Sequence, residues 1–79
     1  MAIQILFFGS ITEVTGKSQH TLDCPRDANV HVIDNLLLAK WPALAEFKYR
    51  ISVNEELASS AQLVKDGDEL AILPPFAGG

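Results

Sequence analysis

The sequence predicts a single α+β domain, a roll in which a mixed sheet packs against one main helix. The first observation is the order of elements, which reads as two strands with a short helix between them, one long helix, and then three strands. The second is that the first and last strands are the most hydrophobic, which favours placing them side by side in the centre of the sheet. The third is length, since 79 residues make one domain, residues 1–79.

The first part of the chain is predicted to form a strand, a short helix and a second strand. Residues 3–8 are almost continuously apolar, which indicates a strand covered on both faces. Ser10 and Glu13 have the spacing of a capping box at the start of a short helix, and Gly16 is suited to end that helix. Residues 19–23 alternate weakly between polar and apolar and are predicted to form the second strand.

The main helix is predicted over residues 30–40. Asn29 is a good N-cap for it, and Pro42 is expected to stop it. Apolar residues recur at helical spacing and predict one buried stripe, formed by Val30, Ile33, Leu37 and Trp41.

Three strands are predicted after the helix. Residues 49–54 alternate cleanly and form the third strand, and a turn at 54–56 leads to a short fourth strand near residues 57–58. Residues 66–68, Asp-Gly-Asp, predict a turn. Residues 69–73 are predicted to form the last strand, after which the chain leads into the C-terminal segment.

Composition restricts the partners that the chain can bind. The net charge is −4 and the six cationic residues are scattered along the sequence, which argues against nucleic acid and against an anionic membrane. No apolar run reaches the roughly 18 residues of a membrane span, and no signal peptide is predicted. The single cysteine, Cys24, indicates a reducing cytoplasm. With 48% hydrophobic residues in so short a chain, part of the apolar surface is expected to meet a partner.

The sequence offers no conventional active site. His20 and His31 have no cysteine or carboxylate at the spacing of known metal sites, so no metal site is predicted. Cys24 lies between Asp23 and Pro25, and we expect an inert thiol. The acidic residues of the second half lack the spacing of a calcium loop and are expected to be solvated turn residues. The chain is therefore expected to bind no cofactor and not to catalyse a reaction by itself.

The C-terminal segment, residues 74–79, is predicted to leave the domain as a flexible arm. Its sequence, Pro-Pro-Phe-Ala-Gly-Gly, has no charged side chain, and its prolines prevent the last strand from continuing. Six extended residues reach at most about 20 Å. The carboxylate of Gly79 is the best candidate for chemistry, but a carboxylate is a poor electrophile. Another enzyme would have to activate it, for example as an acyl-adenylate made from ATP, before it accepts sulfur or an amine.

Four motifs from one end of the chain to the other resemble those of a known family. They are Ile5-Leu6-Phe7-Phe8-Gly9, Thr12-Glu13-Val14-Thr15-Gly16, Val53-Asn54-Glu55-Glu56, and Asp66-Gly67-Asp68-Glu69 with the apolar strand and the Pro-Pro-Phe-Ala-Gly-Gly ending. The set resembles the small subunit of molybdopterin synthase, a ubiquitin-like sulfur carrier of the MoaD type. Two positions depart from the family: Thr12 stands where arginine is common, and Phe76 where valine or isoleucine is more usual.

The resemblance implies a β-grasp fold and a carrier function. By this analogy a MoeB-like adenylating enzyme activates Gly79 with ATP, and a sulfur donor protein then supplies the sulfur of a thiocarboxylate. The sulfur would pass to cyclic pyranopterin monophosphate in the active site of the large synthase subunit, within a heterotetramer that makes molybdopterin for molybdenum cofactor biosynthesis. Gly78 would give clearance in a narrow channel, and Pro75, Phe76 and Ala77 would contact the partner. The chain would be a non-catalytic, sulfur-donating subunit of a transferase.

Other functions stay open at this point. One is a related sulfur carrier for thiamine synthesis or for tRNA thiolation. Another is a protein modifier that forms isopeptide bonds through Gly79. The last is a non-reactive β-grasp interaction module, for which deletion of Gly78 and Gly79 would have no effect in the cell.

Overall fold

The computed structural model describes residues 1–74, which form five strands, two α-helices and one short 3-10 helix. In chain order these elements are β1 (Ala2–Phe7), α1 (Ser10–Thr15), β2 (Gln19–Asp23), α2 (Val30–Lys40), the 3-10 helix (Pro42–Glu46), β3 (Arg50–Val53), β4 (Glu56–Leu57) and β5 (Glu69–Leu73). The predicted order of elements is confirmed, although β3 is shorter than predicted and β4 begins one residue earlier.

The five strands form one mixed sheet in the order β2-β1-β5-β3-β4. β1 and β5 are parallel neighbours in the middle of the sheet, with Ile5 paired to Leu70 and Phe7 to Ile72. The other neighbouring strands are antiparallel. The predicted central pairing of the first and last strands is therefore confirmed, and so is the α+β roll.

Strand β1 is covered on one face only, which corrects the prediction of a strand covered on both. Ile3, Ile5 and Phe7 are buried on the face that meets α2. Leu6 is only half-buried on the other face, and Phe8, which follows the strand, is exposed. A continuous apolar run indicated burial on both sides, but the structure places half of that run on an open face.

Helix α2 closes the core over the helix-facing side of the sheet. Asn29 caps it as predicted, because its side-chain Oδ1 accepts a hydrogen bond of 2.9 Å from the amide of Val32. Val30, Ile33 and Leu37 are buried and form three of the four positions of the predicted stripe, which packs with the buried residues of β1 and β5. Trp41, the fourth, follows the last residue of the helix and is half-buried against the core.

Helix α1 begins differently from the prediction. Ser10 is its first residue and not its cap, and no side chain caps the helix. Instead the carbonyl of Gly9 accepts hydrogen bonds from the amide of Thr12 at 3.1 Å and from the Thr12 hydroxyl at 2.6 Å. The predicted capping box is wrong because Gly9, at φ 55° and ψ −136°, turns the chain one residue earlier. Gly16 ends the helix in the left-handed conformation, as predicted.

Two predicted turns meet at one end of the sheet. Asn54 and Glu55 both have positive φ, as in the type I′ turn of a two-residue hairpin. The Asn54 side chain donates to the Asp68 carboxylate at 3.0 Å and accepts from the amide of Glu69 at 3.1 Å. These bonds tie the β3–β4 hairpin to the turn that precedes β5.

Candidate functional site

The face of the sheet that points away from α2 carries no covering element among residues 1–74. Strand register determines its composition, because residues paired across neighbouring strands point to the same face. Leu6 is paired to Ala71, Ala71 to Ser52, and Ser52 to Leu57, so one row of side chains crosses four strands. Most of this row is apolar, which makes the face suited to bind another protein.

A groove of about 320 Å³ lies in this face. Its apolar walls are formed by Leu6, Phe8, Leu57, Ala71 and Leu73. Two of these side chains are unusually open to solvent, since Phe8 is 44% exposed and Leu57 is 58% exposed. Glu55 and Glu69 contribute carboxylates to the same groove. An apolar groove with acidic groups fits a partner surface that presents apolar side chains bordered by basic ones.

The groove accounts for part of the excess of apolar residues in the sequence, since it contains two of the large exposed apolar side chains, Phe8 and Leu57. A surface that meets a partner was predicted, but its residues were not, because Leu6 and Leu57 lie on strands far apart in the chain. The available signal was weak: Phe7-Phe8 places one aromatic ring on each face of a strand, and only one of these faces can be covered by the single main helix.

The predicted arm begins beside this groove. Pro74 follows β5, and Leu73 lines the groove. Because β1 and β3 flank β5, the start of the arm is fixed to the centre of the sheet. The predicted site residues, Pro75, Phe76, Ala77, Gly78 and Gly79, lie outside the described residues, so their roles stay predictions.

The residues that were predicted to be chemically ordinary lie apart from one another. Cys24 is a buried free thiol, and burial raises its pKa, which keeps it protonated and unreactive at neutral pH. His31 is exposed at the start of α2. Neither residue lines the groove.

His20 belongs to a small aromatic and cationic cluster on the helix side of the sheet. Its ring packs edge-on to Trp41 at 5.2 Å between centroids, and Lys17 Nζ lies 3.3 Å from its Nδ1. Lys40 lies 5.5 Å from the centre of the Trp41 ring. Partial burial, followed by the charges of Lys17 and Lys40, lowers the pKa of His20, so the ring is neutral at pH 7.

The charged side chains are distributed unevenly between the two ends of the sheet, although neither end carries one sign alone. Strand pairing places Lys17, Lys40, Lys48 and Arg50 toward the end where β5 leads into Pro74. The opposite end carries Asp23, Asp27, Glu55, Glu56, Asp66, Asp68 and Glu69. Four of the six cationic residues therefore lie toward the start of the arm, together with Glu13 and Glu46, whereas Arg26 and Lys65 belong to loops at the acidic end. This separation gives the domain an electrostatic orientation when it approaches a charged partner.

Two further observations concern residues 1–74. No group of three or more histidine, cysteine, aspartate or glutamate side chains in this part of the chain is placed to hold a metal ion. No helix in the same range is long and apolar enough to cross a membrane.

Comparisons with known proteins agree with the fold and with the predicted family. The ThiS family matches residues 5–79. The molybdopterin synthase sulfur carrier subunit of Arabidopsis thaliana is 34% identical over 79 residues, which cover 98% of this chain and 82% of that protein. Small archaeal modifier protein 1 of Haloferax volcanii has 28% identity, and the two chains superpose over their full lengths with a TM-score of 0.87.

A further solved structure shares the fold at lower identity. It is the complex of subunits 1 and 2 of the molybdopterin-converting factor from Helicobacter pylori, with 24% identity, full coverage of both chains and a TM-score of 0.72. The β-grasp fold and the predicted resemblance are thus confirmed. The chain belongs to the ThiS family, and its relatives there include the molybdopterin synthase sulfur carrier subunits.

Proposed function

We propose that this chain is the sulfur carrier subunit of a molybdopterin synthase. The observation that carries the proposal is the open apolar groove, which runs along the uncovered face of the sheet up to Leu73, one residue before the Pro-Pro-Phe-Ala-Gly-Gly segment. A sulfur carrier needs a surface that binds its partner and a segment that brings the sulfur to the partner's active site. The groove and the C-terminal segment would meet these two needs. The relatives named molybdopterin synthase sulfur carrier subunit support the choice of reaction.

The chemistry proposed for Gly79 is carried out by other proteins. A MoeB-like enzyme would join the Gly79 carboxylate to the α-phosphate of ATP, with release of pyrophosphate. Sulfur supplied by a donor protein at the oxidation level of sulfide would then attack the acyl carbon, displace AMP and leave a thiocarboxylate. This division of labour agrees with residues 1–74, in which Cys24 is buried and protonated and the groove contains no histidine or cysteine. The chain itself would need no bound cofactor.

The partner proposed for the groove is the large subunit of the synthase. The sulfur would be donated there to cyclic pyranopterin monophosphate, within a heterotetramer of two large and two small subunits. Pro75, Phe76 and Ala77 would contact the large subunit, and Gly78 would pass where a side chain does not fit. A cytoplasmic setting belongs to this proposal, since a reducing compartment keeps a free thiol such as that of Cys24 reduced.

Intact mass spectrometry tests the carrier chemistry directly. The protein is incubated with ATP, the activating enzyme and a sulfur source. We expect a mass gain of about 16 Da, the exchange of one carboxylate oxygen for sulfur. The gain should disappear when Gly79 is deleted. The thiolated protein is then mixed with the large subunit and cyclic pyranopterin monophosphate, and formation of molybdopterin identifies the acceptor. Absence of the mass gain with a demonstrably active cognate activating enzyme would contradict the proposal.

A second candidate function is protein modification through Gly79. It is favoured by the likeness to small archaeal modifier protein 1 at 28% identity over the full length. A modifier would form lysine adducts that resist reductants, and these adducts are detectable by immunoblotting of cells that express a tagged chain. The related carriers for thiamine synthesis or tRNA thiolation are distinguished by which protein co-purifies with the chain, a large synthase subunit or a thiazole synthase.

A further inference from the structure

We propose that Gly9 is a positioning residue for the C-terminal segment, because the absence of a side chain at position 9 lets the Pro74 ring lie close to α1 and so sets the direction in which the chain leaves the sheet. This inference rests on the proposed function, since direction matters only if the segment must reach a partner's active site. It concerns the N-cap residue of α1, 65 positions before Pro74.

The contact between Gly9 and Pro74 continues the central strand pair. The last registered pair of β1 and β5 is Phe7 with Ile72, so Gly9 and Pro74 follow two residues later on the two parallel chains. A methyl group placed on Gly9 would lie 3.0 Å from Cγ of Pro74 and 3.9 Å from its Cβ and Cδ. Carbon atoms in good contact lie about 3.5–4.0 Å apart. A side chain at position 9 would therefore push the Pro74 ring away by a few tenths of an ångström.

The backbone of Gly9 is held in place by helix α1, on the side away from Pro74. Its φ of 55° with ψ of −136° is a conformation that only glycine adopts readily. Thr12 fixes the carbonyl of Gly9 through its amide at 3.1 Å and its hydroxyl at 2.6 Å. Helix α1 thus holds Gly9, and Gly9 in turn limits where the Pro74 ring can lie.

The other described glycines show that this contact is specific. Gly16 and Gly67 also have positive φ, at 75° and 84°, but a methyl group on either would meet no atom within 4 Å. At these two positions glycine is required only by the positive φ of the turn. At Gly9 the need for glycine has two sources, the backbone conformation and the contact with Pro74.

A small change at Pro74 has a large effect at the far end of the segment. The five residues beyond Pro74 reach about 17 Å only when they are fully extended, as in a narrow channel of a partner, and a tilt of about 10° at the ring then moves the terminus by at most about 3 Å. Misplacement of reacting groups by about 1 Å can lower a rate about a hundredfold. Proline has a fixed φ, so the ring cannot absorb a push by rotating about its own N–Cα bond.

The test compares Gly9→Ala with Gly16→Ala, because both changes strain a positive-φ position but only the first adds an atom against Pro74. The rate of the mass gain on Gly79 is measured over a range of carrier concentrations, at a temperature where circular dichroism shows each variant to be folded. We expect Gly9→Ala to lower kcat about tenfold or more with little change in KM, since docking is retained and delivery is not. Gly16→Ala should stay within about twofold of the unchanged protein.

A second change distinguishes positioning from loss of stability. Pro74→Ala removes the ring atoms Cγ and Cδ that a methyl group at position 9 would meet. If Gly9 acts through Pro74, the double variant Gly9→Ala/Pro74→Ala should recover a substantial part of the rate lost in Gly9→Ala, although the backbone strain remains. Equal losses in Gly9→Ala and Gly16→Ala, or no recovery in the double variant, would overturn the inference.

A measurement on the unchanged protein separates this inference from the proposed function. A nuclear Overhauser effect between the Gly9 Hα protons and the Pro74 ring protons reports their contact without any enzyme. Residual dipolar couplings of the amides after Pro74 report the direction of the segment, which should change in Gly9→Ala and not in Gly16→Ala. If the protein never gains sulfur but these two signals behave as expected, the proposed function fails and the positioning by Gly9 stands. If the Overhauser effect is absent, the positioning fails whatever the chemistry.

Discussion

Replacement of Leu57 by alanine should weaken binding to the large subunit without a matching loss of stability. Leu57 lies on the short edge strand β4 and is 58% exposed in the groove. Most of its surface is therefore available to a partner and contributes little to the fold of the free domain. Leu63 provides a matched control, because it is the same residue type, is 63% exposed, and does not line the groove.

The size of the effect follows from the exposed area. Complete burial of a leucine side chain stabilises by about 1.5–3 kcal/mol. With 58% of Leu57 left to bury, its burial on binding is worth about 1–1.7 kcal/mol. That free energy corresponds to a Kd about five to twenty times higher for Leu57→Ala. The same substitution at Leu63 should leave the Kd within about twofold, because its exposed surface lies outside the groove.

Isothermal titration calorimetry with the large subunit measures both affinities, and thermal unfolding of the free variants measures their stabilities. We expect similar, small shifts in Tm for the two variants and a weaker complex for Leu57→Ala alone. Unchanged affinity for Leu57→Ala, or an equal loss for Leu63→Ala, would refute the assignment of the groove as the docking surface.

Three further predictions concern the rest of the fold. Tyr49 is the only tyrosine, and burial together with its hydrogen bond to Asp34 raises its pKa, so its absorbance at 295 nm should change only well above pH 10 in the folded protein. The pKa of Tyr49 is higher in the folded state than in the unfolded state, so its contribution to the free energy of unfolding is complete below about pH 10 and is lost as the pH rises further. Ionisation of Tyr49 near pH 10 in the folded protein would contradict this prediction. The pKa of His20 is lowered below 6.5, so the stability from its neutral ring is complete above pH 6.5 and is lost as the pH falls. Fluorescence of Trp41, the only tryptophan, should report the change with a midpoint below 6.5, and the transition should vanish in His20→Phe. Asn29→Ala should lower the free energy of unfolding by about 1 kcal/mol, and urea denaturation that shows no loss would exclude a stabilising cap.

Local signals were sufficient for most elements of this fold. Asn29 and Pro42 set the limits of α2 because one satisfies the first free amides and the other cannot continue a helix. The central place of β1 and β5 followed from their hydrophobicity, since the middle of a sheet is its most buried part. In each case the residues that decide the structure lie next to the element or within it.

The start of α1 was predicted wrongly because the deciding residue adopts a conformation that a spacing pattern does not show. Ser10 and Glu13 satisfy the capping-box pattern, but Gly9 turns the chain first, and its carbonyl accepts hydrogen bonds from the amide and the hydroxyl of Thr12. The same pattern of residues can thus begin a helix one position earlier when glycine precedes it.

The groove could be anticipated only as an excess of apolar surface. Its walls combine Leu6 with Leu57, and these residues meet because β5 and β3 lie between their strands in a particular register. A shift of one residue would turn the same side chains to the opposite face. Register over such separations depends on the packing of the whole sheet and is not encoded in any one stretch of the chain.

The parallel pairing of β1 and β5 also determines how the domain responds to mechanical force. A pull on the segment after Pro74, opposed at the start of β1, acts along both strands in opposite directions. The four registered pairs from Gln4–Glu69 to Phe7–Ile72 then bear the load together in shear, and their hydrogen bonds cannot open one at a time. A partner that grips the C-terminal segment can therefore draw on it strongly without peeling β5 from the sheet, and an unfolding machine that starts at this end faces the most resistant strand pair first.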